Sequence, residues 1–271
     1  MSLEVNIEKK LDGFTLRAAF TAGNTSTALL GASGCGKSMT LRCIAGIVKP
    51  DRGRIVLDGR VLFDSAQHID LPPQQRGVGL LFQNYALYPH MTVYENMAFS
   101  LKLKKVPKDE IDRKVREAAE ILDITQYLDR KPKALSGGQR QRVGIARALA
   151  CNPEFIVCDE PVSALDVSIQ AQILNLMEDL QDELGLTYLF ITHDLSVVHH
   201  FSDDIAVMYL GKLFEKAPSD ELFDHPMHPY TQALLSAIPV PSLHNRKKRI
   251  IMKGEITSPI NPPKACRFAQ R

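Results

Sequence analysis

Four residues of this chain, Gly31, Gly36, Lys37 and Ser38, stand in the spacing Gly-x-x-x-x-Gly-Lys-Ser. Those types in that order suit a triphosphate. Glycines let successive backbone N–H groups converge on one phosphate, and a helix opening on the loop adds its positive end. Lys37 would reach the β- and γ-oxygens, and the Ser38 hydroxyl would ligate Mg²⁺. Ser33, Gly34, Cys35 and Met39 belong to the same stretch, "GASGCGKSM", and complete the expected nucleotide cradle. A thiol inside such a loop predicts that a maleimide at Cys35 blocks nucleotide and that nucleotide protects against it.

"FIVCDE" at 155–160 is an apolar run ending in two carboxylates. Acidic groups at the end of a buried strand are costly unless they hold a cation or move a proton. Asp159 is placed to hold Mg²⁺ through water, and Glu160 to take a proton from an attacking water. A second glycine turn, "LSGGQ" at 135–139, also precedes a helical pattern. A chain of 271 residues thus carries two turns suited to phosphate.

These groups need a frame. "STALL" (26–30) is an apolar strand feeding the first glycine turn, and 39–47 follows with helical spacing. "RIVLDGRVLF" (54–63) places Asp58-Gly59 between two β-rich runs, which predicts a hairpin. "GVGLLF" (77–82), "EFIVC" (154–158) and "TYLFIT" (187–192) read as further strands. Between 84 and 135 the pattern is helical; at 108–122, Ile111, Val115, Ala118 and Leu122 form one stripe with Glu110–Lys114 and Asp112–Arg116 outside it. A helix is expected over 139–150. Another is expected over 167–184, with Ile169, Ile173, Leu176, Leu180 and Leu184 inward. Alternating strands and helices predict an α/β fold on a mainly parallel sheet, with an antiparallel β part and a helical part.

Phosphate loop, "LSGGQ", "FIVCDEP", "SALD" (163–166) and "ITHD" (191–194), in this order, resemble the ATPase subunits of ATP-binding-cassette (ABC) transporters. The resemblance spans nearly all of 1–240 and implies a P-loop NTPase fold. It also implies ATP and Mg²⁺ as cofactors, and hydrolysis that powers an importer. In that family two ATPase domains pair head-to-tail, so Ser136, Gly137 and Gly138 would cap the γ-phosphate bound by the partner copy. The two turns are then two halves of a shared pocket. By position, Gln83 matches the glutamine that contacts Mg²⁺ and the attacking water and senses the membrane partner. His193 matches the histidine that contacts the γ-phosphate and orients Glu160, and Asp166 the aspartate that communicates across the dimer. An aromatic stacks on adenine in this family; Phe14 is the candidate and Phe20 a weaker rival. The implied layout is an ATPase domain over 1–225, with a helical subdomain at about 84–138, and an extension over 226–271.

Bulk properties agree with such a subunit. A net charge of +2 gives no reason to expect nucleic acid or a bare membrane surface as partner. The run Arg246 to Arg249 reads as a solvated loop. Five cysteines without a C-x-x-C pair suggest reduced thiols and a cytoplasmic protein. The N-terminus lacks a signal-peptide pattern, and no apolar run approaches the ~20 residues of a membrane span. Membrane association, at the inner face, would come only through transmembrane permease subunits. A nucleic-acid-acting ABC ATPase, a GTPase or small kinase, or a cassette that binds ATP without driving transport are the rivals. No N-K-x-D motif supports a GTPase.

The solute is ambiguous. "HPMHPYTQALLSAIPVP" (225–241) and "KGEITSPINPPKACRF" (253–268) resemble tails of oligopeptide and dipeptide importer ATPases. The spacing of His225, His228 and Cys266 fits no zinc pattern, and one cysteine cannot hold an iron–sulfur cluster. Upstream, "LPPQQRGVGLLFQNYALYPHMTV" resembles molybdate and other oxyanion importers, and the segment from "YENMAFS" resembles sugar importers. Two explanations stand: a family member with mixed features, or a recombinant joined at shared motifs, with the mixture of styles favouring the second.

Overall fold

Alternation of apolar and polar side chains builds the first strands. Leu3, Val5 and Ile7 are buried while Glu4 and Asn6 face out, and Leu16, Ala18, Phe20 and Ala22 repeat the pattern. The computed structural model describes residues 2–237, 250–252 and 266–269. The basic run at 246–249 and most of 253–268 lie outside the described residues.

In chain order the elements are β1 (Leu3–Leu11), β2 (Phe14–Ala22), β3 (Thr27–Leu30), α1 (Lys37–Ala45), β4 (Arg52–Leu57), β5 (Arg60–Asp64), β6 (Ile69–Asp70) and β7 (Val78–Leu81). Then come α2 (Val93–Leu103), α3 (Lys108–Ile121), α4 (Gly137–Leu149), β8 (Phe155–Asp159), α5 (Val167–Leu184) and β9 (Thr187–Ile191). The chain closes with α6 (Leu195–Phe201), β10 (Asp204–Tyr209), β11 (Lys212–Pro218), α7 (Ser219–Asp224) and α8 (Pro229–Leu235). Among the described residues no helix is long and apolar enough to cross a membrane.

Two compact units result: Met1–Ile44, Val48–Asp70 and Ile191–Arg271 in the first, Ala45–Ile47 and Leu71–Phe190 in the second. Strands of the first run in the order β6-β5-β4-β1-β2-β11-β10-β3. β1 pairs antiparallel with both β2 and β4, and β10 pairs parallel with β3. The expected hairpin is present. Asp58 at φ 47° and Gly59 at φ 75° form the left-handed pair that joins β4 to β5.

In the second unit β7 and β8 pair in parallel, Val78 opposite Phe155 through Leu81 opposite Cys158. Phe155 to Cys158 are wholly buried, as both faces of a parallel strand require. α3 buries Ile111, Val115, Ala118 and Ala119, with Lys114–Glu110 at 3.3 Å and Arg116–Asp112 at 2.9 Å on its outer side. α5 differs from expectation: its inner face is Ile173, Leu174, Met177 and Leu180. Leu184, expected inward, is 48 % exposed in the last turn before the left-handed Gly185 cap. The repeat 173–174–177–180 is itself a helical stripe, so spacing alone could not choose between the two faces.

Candidate functional site

In the first unit the sequence β3, glycine loop, α1 holds as expected. Gly31 has φ 146°, and a Cβ there would lie 2.1 Å from the Met208 carbonyl oxygen. Gly36 has φ 106°, and its Cβ would meet Leu16 Cδ1 at 2.8 Å. These two glycines let the loop lie flat on β10 and β2. Ser33 and Gly34 stand exposed at the tip, with Ser38 and Met39 half-buried in the first turn of α1. Lys37 Nζ donates to the Gly31 carbonyl at 2.6 Å and to the Ala32 carbonyl at 3.1 Å. A γ-phosphate would compete for that ammonium, since charge-assisted bonds are the stronger.

Cys35 corrects an expectation. Its side chain is 2 % exposed, so it does not line the open cradle. Burial pushes its thiol pKa up against the lowering effect of Lys37. A maleimide should therefore reach it slowly rather than readily. Its carbonyl accepts from Gly211 N–H at 2.9 Å, which ties the loop to the β10–β11 turn. Phe14 reaches the same place: a Cβ on Gly211 would sit 3.0 Å from Phe14 Cε2 and one on Gly36 would sit 3.9 Å from Gly211 Cα. Phe20 is buried in β2 opposite Val5 and has no face to offer a base. His193 is exposed two residues after β9, beside Asp194, which caps α6 by accepting from Ser196 N–H at 2.9 Å.

The second unit carries the acid groups. Because β7 and β8 are paired neighbours, the residues after their ends meet, and Gln83 Nε2 donates to Glu160 Oε2 at 3.0 Å. Glu160 has φ 51°, a left-handed conformation that costs a non-glycine residue about 1 kcal/mol or more. Asp159 is half-buried at the last position of β8. Beyond Gln83, Tyr85 and Ala86 are also left-handed, at φ 57° and 45°. The Arg147 guanidinium on α4 donates to their carbonyls at 3.0 and 2.7 Å. Burial lowers the Arg147 pKa, yet the group stays charged at neutral pH. Sequence reasoning did not single out Arg147; inside "ARALA" it looks like an ordinary helix residue.

Ser136 is the N-cap of α4. Its hydroxyl accepts from Gln139 N–H at 3.2 Å, while Gln139 Oε1 accepts from Ser136 N–H at 2.9 Å. This reciprocal cap starts α4 two residues before the expected 139. Gly137 and Gly138 are the first two residues of the helix, where backbone N–H groups have no intrahelical acceptor. A Cβ on Gly138 would lie 2.8 Å from Ile169 Cγ2, and one on Gly137 would lie 3.2 Å from Leu165 Cδ2. Asp166 caps α5 by accepting from Ile169 N–H at 3.0 Å, so the glycine turn and the "SALD" turn are neighbours. An apolar cavity of about 470 Å³ opens in this unit beside the Gln83 strand end, bounded by Phe82, Tyr88, Phe99, Leu103, Arg147 and Cys151.

A glycine cradle ahead of α1, with a carboxylate pair at the end of a buried parallel strand, defines the class: an α/β phosphate-loop nucleoside triphosphatase. Residues 18–163 match the family described as ABC transporter, and residues 214–271 match the oligopeptide/dipeptide transporter C-terminal region. The chain belongs to the ABC transporter family, as its ATP-binding and ATP-hydrolysing subunit.

The oligopeptide transport ATP-binding protein AppF of Bacillus subtilis is 44 % identical over 271 residues, covering 97 % of this chain and 81 % of that protein. The trehalose/maltose import ATP-binding protein MalK of Thermococcus litoralis is 45 % identical over 212 residues, covering 78 % and 57 %. Among solved structures, cbiO1 of Clostridium perfringens superposes with a TM-score of 0.71 at 31 % identity, over 82 % of this chain and 90 % of that one. A dimeric ATP-binding cassette bound to ADP and Pi superposes with a TM-score of 0.66 at 29 % identity, over 81 % and 99 %.

Proposed function

We propose that this chain is the motor of a peptide importer, coupling ATP hydrolysis to the uptake of oligopeptides or dipeptides. The match of 214–271 to the oligopeptide/dipeptide transporter C-terminal region carries the choice of solute. Peptide-transport relatives align across 97 % of the chain, so they include the segments whose style resembles oxyanion and sugar importers. A recombinant origin gains no support from that; mixed features within one lineage suffice.

In this reading Gly31, Ser33, Gly34, Cys35, Gly36, Lys37, Ser38 and Met39 hold the phosphates, the loop acting through backbone N–H groups, and Phe14 stacks on adenine. Ser38, Gln83 and Asp159 offer the hard oxygens that Mg²⁺ prefers, and the ion would neutralise the phosphate charge. Glu160 takes the proton of the attacking water. Gln83 keeps its carboxylate oriented, as the 3.0 Å bond supports, and His193 steadies the γ-phosphate.

Two copies pair head-to-tail, with Ser136, Gly137 and Gly138 of each capping the partner's γ-phosphate and Asp166 relaying the contact. A permease segment docks in the apolar cavity, whose wall includes Arg147, the residue that grips the loop after Gln83. The chain would then sit at the inner face of the cell membrane through its permease. The test is co-purification with permeases of peptide, sugar and oxyanion systems, followed by turnover in reconstituted vesicles. The reading requires stimulation by the peptide system; stimulation by another system alone rejects the solute and keeps the ATPase.

A further inference from the structure

The Ala32 N–H of the phosphate loop donates to the Tyr230 hydroxyl at 2.9 Å. Tyr230 lies on α8, far along the chain, and is 2 % exposed. Its ring is fixed from several sides. Tyr209 of β10 packs at 4.6 Å between centroids, and Phe268 of the C-terminal segment at 5.7 Å. Phe268 also meets Tyr209 edge-on at 5.6 Å. The α8 N-terminus is held separately: His228 Nδ1 accepts from Tyr230 N–H at 3.0 Å, and the His228 ring stacks on Phe214 at 4.7 Å. The Glu215 carboxylate accepts from the N–H groups of Met227 and His228 at 2.7 and 3.0 Å.

The same C-terminal segment grips the turn that carries the loop. Arg267 donates to the Leu210 carbonyl, and the next residue, Gly211, donates to the Cys35 carbonyl at 2.9 Å. The phosphate loop is therefore fixed from behind at Ala32 through Tyr230 and at Cys35 through Gly211. Phe268 packs on the first support and Arg267 holds the second.

We propose that Tyr230 is a positioning residue for the nucleotide site, and that Arg267 and Phe268 lock it, so that the C-terminal region sets the shape of the phosphate loop. The reason is geometric. Ala32 follows Gly31, whose φ of 146° only glycine holds easily, and a peptide beside a glycine rotates at little cost unless its N–H is anchored. Without the acceptor the loop would populate shapes whose N–H groups do not converge. Apparent affinity falls by the fraction of loops left competent, while a loop already closed on nucleotide reacts as before.

This proposal rests on the ATP-site reading, and the experiment separates the two. Binding of a fluorescent ATP analogue, kcat at saturating ATP, and the maleimide rate of Cys35 in the nucleotide-free chain are compared between wild type and Tyr230→Phe. Cys35 is mapped by peptide and normalised to exposed Cys266. Removing one oxygen keeps the ring and its packing. The expected result is a dissociation constant raised about 5- to 30-fold with kcat within about twofold. Cys35 should label faster by a similar factor, because the loop that buries it has loosened.

A tyrosine that only filled space would lower Tm and leave both quantities alone. Either one staying within about twofold of wild type in Tyr230→Phe overturns the proposal. Arg267→Ala leaves Tyr230 in place and serves if the first variant folds poorly: an affinity loss of about 2- to 5-fold supports the lock, and unchanged affinity overturns it. Failure of the wild type itself to bind the analogue would instead reject the ATP site.

Discussion

The two glycine turns of this chain look alike in sequence and are built differently. At 31–38 the loop is braced from behind by Met208, Leu16, Gly211 and Tyr230, and its lysine rests on the loop's own carbonyls. At 136–139 the turn is closed by its own reciprocal cap, and its glycines pack on Leu165 and Ile169 instead of opening a pocket. The first turn is held by contacts that reach it from other elements and by Lys37 on its own carbonyls, whereas the second is the capped start of a helix packed on α5. The difference teaches that glycine serves two ends here: backbone freedom at the first turn, close approach of α5 residues at the second.

The comparison breaks or sharpens under substitution. Glu160→Gln should lower turnover by about 10²- to 10⁴-fold while ATP still binds, because only proton abstraction is lost; steady-state phosphate release measures the first and nucleotide titration the second. Lys37→Ala should weaken ATP binding to the single chain by roughly 10- to 100-fold, the loss of one charge-assisted contact. Ser136→Arg should leave that binding within about twofold and abolish ATP-dependent pairing, seen by sedimentation. Equal damage to single-chain binding from both would erase the distinction between the turns.

Gly138→Ala places a methyl about where Ile169 already sits and should cost roughly 1–3 kcal/mol by chemical denaturation. Ser136→Ala, which removes only the cap hydroxyl, should cost about 1 kcal/mol. If Ser136→Ala were the costlier, the glycine would not be there for packing.

Much of this was legible. The phosphate loop and the acid pair could be found because their chemistry demands fixed residue types at fixed spacing. The hairpin at Asp58-Gly59 and the stripe of α3 were legible because turn and helix geometry impose local patterns. β1 and β2, which the sequence analysis leaves unassigned, carry a plain period-two alternation from Leu3 to Ile7 and from Leu16 to Ala22. The inner face of α5 was misassigned because Leu174 and Met177 compete with Leu176 and Leu184 for one stripe, and only tertiary packing decides. Tyr230 and Arg147 were out of reach for a different reason. Each acts on backbone atoms 198 and about 60 positions away, and a contact with a peptide group leaves no mark on residue type at its far end.

The central claim is that each copy's Ser136 turn completes the pocket of the other. A tagged Lys37→Ala chain, whose own loop is left empty at an analogue concentration below its weakened dissociation constant, can be mixed with an untagged chain carrying Glu160→Gln and given an ATP analogue with a photoreactive γ-phosphate. The account predicts label on the 135–139 peptide of the tagged chain, and only when the untagged chain is present. Label confined to the untagged chain would contradict it.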